Sequence, residues 1–348
     1  MGKLSLFEAC CPRTLMLVMK YRLKRSEVAK RKRLFASLLF MGAARRKIIK
    51  LVTYQLEREQ KTRIGVLNSD ETWVYPIRSI GVDYGEMGKL IEEIGESELQ
   101  LLEYASTKEP YGISGAAPLG EVRLLAPIQY PKQDVICLGI NYMAHAEESA
   151  RFKKQEFDGK REYAVYFSKR VSKASADGDP IPGHFDIVDS LDYEAELAAI
   201  IRKEAKNVPP EQVKEYLFGY TVINDVSARN IQNAHKQWYF GKSLDGFLPM
   251  GPCIVTVDSI PYPPKLAIQS YVNGELRQDS NTSQMIFDID HIVSELSKGM
   301  SLQAGTIIAT GTPAGVGMGF VPPKFLKAGD VVECRIEGIG SIQNRVEE

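Results

Sequence analysis

Ser190-Leu191-Asp192-Tyr193-Glu194-Ala195-Glu196-Leu197 sets carboxylates at 192, 194 and 196 against apolar groups at 193, 195 and 197. Alternation with a period of two is the pattern of a β-strand, whose successive side chains point to opposite faces. The stretch therefore predicts a strand with one acidic face and one face for a core. Carboxylates this close repel one another unless a proton or a cation lies among them. Two surroundings are open for that face: water at a solvated edge, or a divalent, oxygen-preferring ion such as Mg²⁺. The continuation, 197–201, is apolar throughout and predicts a strand in the middle of a sheet.

Working outward, 218–226 reads as another strand, and Asp225 falls where it gives way to a loop or helix. Arg229 and Gln232 follow at four and seven residues, so a helix would put all three on one face. Upstream, the strand-like 134–140 leads into Gly139-Ile140-Asn141-Tyr142-Met143-Ala144-His145-Ala146-Glu147-Glu148. A helix here would set His145 and Glu148 on one face, where a carboxylate fixes the imidazole tautomer and raises its basicity, as a general base requires. By spacing alone the pair reads rather as a surface ion pair on a helix. Gly241-Lys242-Ser243-Leu244-Asp245 is a loop without the glycine spacing of a phosphate-binding loop. Asn273-Gly274 between strand-like runs predicts a hairpin, and 286–298 an amphipathic helix. The strand 306–309 runs into Thr310-Gly311-Thr312-Pro313-Ala314-Gly315-Val316-Gly317, whose N–H groups and hydroxyls suit a carboxylate.

The chain of 348 residues is 44% hydrophobic, ample for a buried core, and its formal charge is zero. That charge is unevenly spread. Residues 1–50 hold fourteen Lys and Arg against Glu8 and Glu27, which leaves the remainder at −12. An acidic main body argues against nucleic acid as its partner. The five cysteines are scattered without a C-x-x-C spacing, which predicts neither disulfides nor a zinc site and fits the cytoplasm. Cys137, within an apolar run, reads as a buried structural thiol. No apolar run reaches the roughly 20 residues that span a bilayer. Residues 1–47 read as a basic extension outside the catalytic machinery, 48–120 as a small α+β domain, and 121–348 as a strand-rich catalytic domain.

Six ordered signatures together resemble the fumarylacetoacetate hydrolase family. They are Gly139-x-Asn141-Tyr142-x-x-His145-x-x-Glu148, Asp192-Tyr193-Glu194-x-Glu196-Leu197, Asn224-Asp225-x-x-Ala228-Arg229-x-x-Gln232, Gly241-Lys242-Ser243-x-Asp245, Val272-Asn273-Gly274-x-x-x-Gln278-x-x-x-Thr282-x-x-Met285-Ile286-Phe287, and Thr310-Gly311-Thr312-Pro313-x-Gly315-Val316-Gly317. The resemblance covers about 50–346 and implies a strand-dominated α+β fold: a small N-terminal domain and a mixed β-sandwich roll, in a homodimer. It implies Mg²⁺ or Mn²⁺ on Glu194, Glu196 and Asp225. It further implies His145, Glu148 and Lys242 as catalytic groups, and Arg229, Gln232, Gly311 and Thr312 as substrate contacts. Asp192 is expected to flank the site as a hydrogen-bonding partner. The implied substrate is a small 2-oxo or dicarboxylic acid, and the expected reaction is metal-dependent hydrolysis of a C–C bond in a 2,4-dioxo acid. The alternative within the same family is an isomerase or decarboxylase of 2-hydroxydienoate or oxaloacetate-type substrates.

Overall fold

The computed structural model of the protein describes residues 48–57, 59–154 and 156–348. The basic extension expected over 1–47 lies outside the described residues, as do Cys10 and Cys11.

Strand 197–201 is as central as its composition predicts. β1 (Lys50–Leu56), β2 (Arg63–Leu67), β3 (Trp73–Pro76) and β4 (Ala117–Pro118) form one wing of an eleven-stranded sheet, with β5 (Val122–Leu125) paired on β1. The rest of that sheet comes from β6 (Val135–Gly139), β7 (Val165–Lys169), β10 (Ala195–Ile201), β11 (Leu217–Asn224), β13 (Met250–Thr256) and β16 (Ile307–Ala309). Its order is β4-β3-β2-β1-β13-β11-β10-β16-β6-β7, antiparallel except where β16 runs parallel to β6. A short ribbon pairs β9 (Leu191–Asp192) with β12 (Ser227–Ala228). A second sheet contains β14 (Ala267–Val272), β15 (Glu275–Asn281), β17 (Val331–Ile336), β18 (Gly340–Glu347) and β8 (Ile181–Pro182). Asn273-Gly274 makes the β14–β15 turn, with φ of 52° and 80° as a type I′ hairpin needs.

Both faces of β10 are covered. Leu197, Ala199 and Ile201 enter a core shared with Ile268, Val332 and Ile336 of the second sheet and with Ile292 and Leu296 of the helix Ile289–Gly299. Ala198 and Ile200 enter the opposite core, with Leu90, Ile91 and Leu102 from the helices Met87–Glu93 and Glu96–Ser106. Each large aliphatic side chain buried this way contributes about 1.5–3 kcal/mol, and the sandwich holds β10 rigidly from two sides. The fold is the strand-dominated, mixed-sheet architecture that the sequence predicts. The β1–β5 wing joins it through β1 and β13, with Leu51 opposite Ile254. Among the described residues no helix is long and apolar enough to cross a membrane.

One expectation is corrected. Residues 190–197 are not a single strand: Leu191–Asp192 belongs to the ribbon, Ala195–Ile201 to the large sheet, and Tyr193-Glu194 is the bend between them. Hydrogen bonding explains the break. The Asp192 carboxylate takes four donors from outside the sheet: Tyr193 N, Gly317 N, Met318 N and Arg229 Nε, at 2.6–3.0 Å. Asp192 thus flanks the site as a hydrogen-bonding partner rather than joining a row of three.

Candidate active site

Register builds the acidic cluster. β10 and β11 pair antiparallel with Ala195 opposite Asn224, which brings the start of one strand to the end of the other. Asp225 N then donates to Glu194 O at 2.8 Å, and the Asn224 side chain accepts from Glu194 N at 3.0 Å. On the other side of β10, Ala309 lies opposite Ala198, so the chain leaving β16 passes the Glu196 side chain, and Gly311 N donates to its Oε2 at 2.8 Å. Glu194, Glu196 and Asp225 are buried, with one ligand oxygen of each within 4.8 Å of the others.

Three buried cations face the cluster. Lys242 Nζ bridges Glu194 Oε2 at 2.8 Å and Asp225 Oδ2 at 2.6 Å. Arg229 gives NH1 to Glu194 at 2.7 Å and to Gln232 Oε1 at 3.1 Å. Lys169 donates to Asp225 Oδ1 and to Val226 O. Burial opposes ionisation of Glu194, yet the Lys242 and Arg229 charges outweigh it and hold this carboxyl below the usual range. Glu196 behaves oppositely. Burial first, then the charges of Asp225 and Glu194, push its pKa well up. Its Oε1 is buried without a hydrogen-bond partner, and so is Arg229 NH2. An orphaned carboxylate oxygen beside two other carboxylates is the donor set of a hard divalent cation, so the residues present fit the ion the sequence implies.

The imidazole and its carboxylate come from the other side. β6 ends at Gly139 and the helix Met143–Phe152 begins four residues on; its face carries both His145 and Glu148, each buried. His145 Nδ1 lies 3.0 Å from Glu148 Oε2, and Gly315 N donates to Glu148 Oε1 at 3.0 Å. The entry to this helix is strained: Ile140, a β-branched residue, sits at φ 58°, a conformation that costs about 1–3 kcal/mol. Asn141 holds it there by donating to Phe287 O and Thr310 O and accepting from Phe287 N. His145, Glu194, Arg229, Gln232, Lys242 and Thr312 all line one cleft.

The structure therefore brings every predicted site residue together, though not all with free groups. The Gly311 N–H is committed to Glu196, and the Thr312 hydroxyl donates to Ala195 O while accepting from Gln278 Nε2. Lys169 was not among the predicted residues. Its one sequence signal is a lysine closing the strand-like run 163–169, which does not say that the ammonium is buried. Gln278, quoted only as part of a signature, ties Ala195 N to Thr312 and Pro313. Cys137 is a buried structural thiol as predicted; burial, then the nearby carboxylates, push its pKa well up, which keeps it unreactive.

Close approach of the 315–319 loop clamps the pair. A Cβ on Gly319 would lie 1.7 Å from Glu148 Oε1 and 1.9 Å from its Cδ. Gly319→Ala is expected to displace Glu148, and His145 with it. Misplacement on this scale lowers kcat by about 10²-fold, with KM little changed and most of the secondary structure retained by circular dichroism.

A family model, the fumarylacetoacetate hydrolase C-terminal domain, matches residues 134–347. The oxaloacetate tautomerase of Bacillus subtilis is 43% identical over 265 residues, which is 74% of this chain and 86% of that protein. Among solved structures, a fumarylacetoacetate hydrolase from Exiguobacterium antarcticum superposes with a TM-score of 0.70 at 38% identity, covering 86% of this chain and 99% of that one. The 5-carboxymethyl-2-hydroxymuconate delta-isomerase of Mycobacterium smegmatis gives 0.65 at 30% identity, over 86% and 99% of the two chains.

Proposed function

The chain belongs to the fumarylacetoacetate hydrolase family, and from that premise we propose that it is a divalent-metal-dependent isomerase that interconverts the keto and enol forms of a short 2-oxo acid of the oxaloacetate type. One observation carries this reading: His145, paired with Glu148, and Glu194, grouped with Glu196 and Asp225, line the same small cleft. The Bacillus and Mycobacterium relatives, named as tautomerase and isomerase, support this alternative better than C–C hydrolysis.

Glu194, Glu196 and Asp225 would hold the cation, which would supply Lewis acidity for enolisation of a bound 2-oxo acid. Glu148, held by Gly315 N, orients the imidazole through Nδ1 and leaves Nε2 as the atom that takes and returns a proton. In the keto-to-enol direction the C3–H bond breaks, a C2–C3 double bond forms and the 2-oxo oxygen gains a proton, so composition is unchanged. Lys242, whose ammonium is kept charged by Asp225 and Glu194 against the cost of burial, stabilises the developing oxyanion. Arg229 NH2 and Gln232 receive the substrate carboxylate.

Hydrolysis of a 2,4-dioxo acid is the second reading, since the same imidazole can take a proton from water and the Exiguobacterium relative is named a hydrolase. The test is purified protein with Mg²⁺ and freshly dissolved enol-oxaloacetate, followed by loss of enol absorbance and by a coupled pyruvate assay. Faster enol loss without pyruvate is expected. Pyruvate release from acetylpyruvate, with no acceleration of the keto–enol exchange, would establish hydrolysis instead.

A further inference from the structure

The cleft has a cationic mouth opposite its acidic floor. Lys153 follows the His145–Glu148 helix as its C-cap and lines the cleft together with Arg229 and Trp238. Its Nζ lies 5.7 Å from the centroid of the Trp238 ring and has no carboxylate partner among the described residues. Trp238 can stand there because Gly139 has no side chain: a Cβ at 139 would lie 2.0 Å from the ring. Phe167 packs edge-on against the same ring at 5.2 Å, so the wall behind the ammonium is aromatic. Lys153 itself is exposed, but two buried donor atoms near it lack partners, Arg229 NH2 and Arg161 Nε. Burial, then the charges of Arg229 and Arg161, push the Lys153 pKa down, as expected of a cation crowded by cations and short of an anion.

Neither the acidic cluster nor the imidazole pair needs a further cation at the mouth, and among the described residues no carboxylate neutralises it. We propose that Lys153 receives the second carboxylate of a short 2-oxo dicarboxylate whose 2-oxo acid end lies at Glu194 and Arg229, and that it makes the cleft selective for dicarboxylates. This deepens the tautomerase reading and rests on it: Lys153 is a specificity residue that leaves the proton transfer to His145.

The discriminating pair of probes is oxaloacetate and 2-oxobutyrate, which share four carbons and differ by a terminal carboxylate against a methyl group. Affinities are measured by calorimetry on the full chain with Mg²⁺ present, so the readout does not depend on turnover. Wild type is expected to prefer oxaloacetate. Lys153→Met is expected to weaken oxaloacetate binding about tenfold, the size of one charge-assisted hydrogen bond, and to leave 2-oxobutyrate within about twofold. Lys153→Arg is expected to restore most of the preference. Equal losses for both probes, no loss in Lys153→Met, or a wild type without preference would each overturn the proposal. Selective binding by a wild type that fails to accelerate keto–enol exchange would support the proposal while sinking the tautomerase reading.

Discussion

Glu196→Gln is expected to lower kcat/KM by about a hundredfold or more, with the loss of one oxygen ligand at the cation, and to do so without unfolding the protein. The amide is nearly isosteric, so its carbonyl keeps the bond from Gly311 N and its NH₂ can donate toward Glu194 and Asp225. What disappears is the charge. The wild-type carboxyl has its pKa raised, by burial and then by Asp225 and Glu194. Without a divalent ion the folded chain therefore binds a proton here more readily than the unfolded chain does. The stability this adds is fully present below the ordinary carboxylate pKa and is lost as pH rises toward the raised value. Thermal melts in chelator should show that decline in wild type and not in Glu196→Gln. Added Mg²⁺ should raise the wild-type Tm, more at pH 8 than at pH 6, because the proton competes with the ion. A variant that still gains Tm with Mg²⁺ as wild type does would remove Glu196 from the ligand set.

The second large effect concerns the imidazole. His145→Gln is expected to lower kcat by about 10²–10⁴-fold, the usual contribution of general acid–base catalysis, with KM for oxaloacetate changed far less. Glu148→Gln should cost less than His145→Gln, because it leaves the imidazole present but takes away the carboxylate that fixes its tautomer. The two losses should not add, since both act through one proton transfer. Added imidazole should rescue part of the His145→Gln activity and none of the Glu196→Gln activity. Comparable rescue of both, or a Glu148→Gln variant with unchanged kcat, would place the proton transfer elsewhere.

Much of this site is legible in the chain because its parts are carried by local signals. Strand alternation marks Glu194 and Glu196, a strand-to-loop junction marks Asp225, and a three-residue spacing marks His145 and Glu148. The resemblance joins these fragments into one site. Lys169 escaped because nothing local distinguishes a lysine that ends a strand in water from one buried against Asp225. The break at Tyr193-Glu194 escaped for a related reason. Periodicity reports which way side chains point, and the donors that pull Asp192 out of the row sit at Gly317 and Met318, 125 and 126 residues away. Gly319 and Gly139 likewise carry no local signal until the Glu148 and Trp238 side chains are seen pressed against them.

The sequence by itself determined the strand-dominated class, the central placement of 197–201 and the hairpin at Asn273-Gly274, since each follows from the chemistry of neighbouring residues, while the acidic and imidazole groups stand out only through the resemblance. The tertiary structure decided which oxygens are left unpaired, which cations offset which carboxylates, and that a lysine with no carboxylate partner among the described residues lines the cleft. Those are properties of distances between segments far apart in the chain, set by strand register and packing, and Coulomb and hydrogen-bond energies depend on those distances.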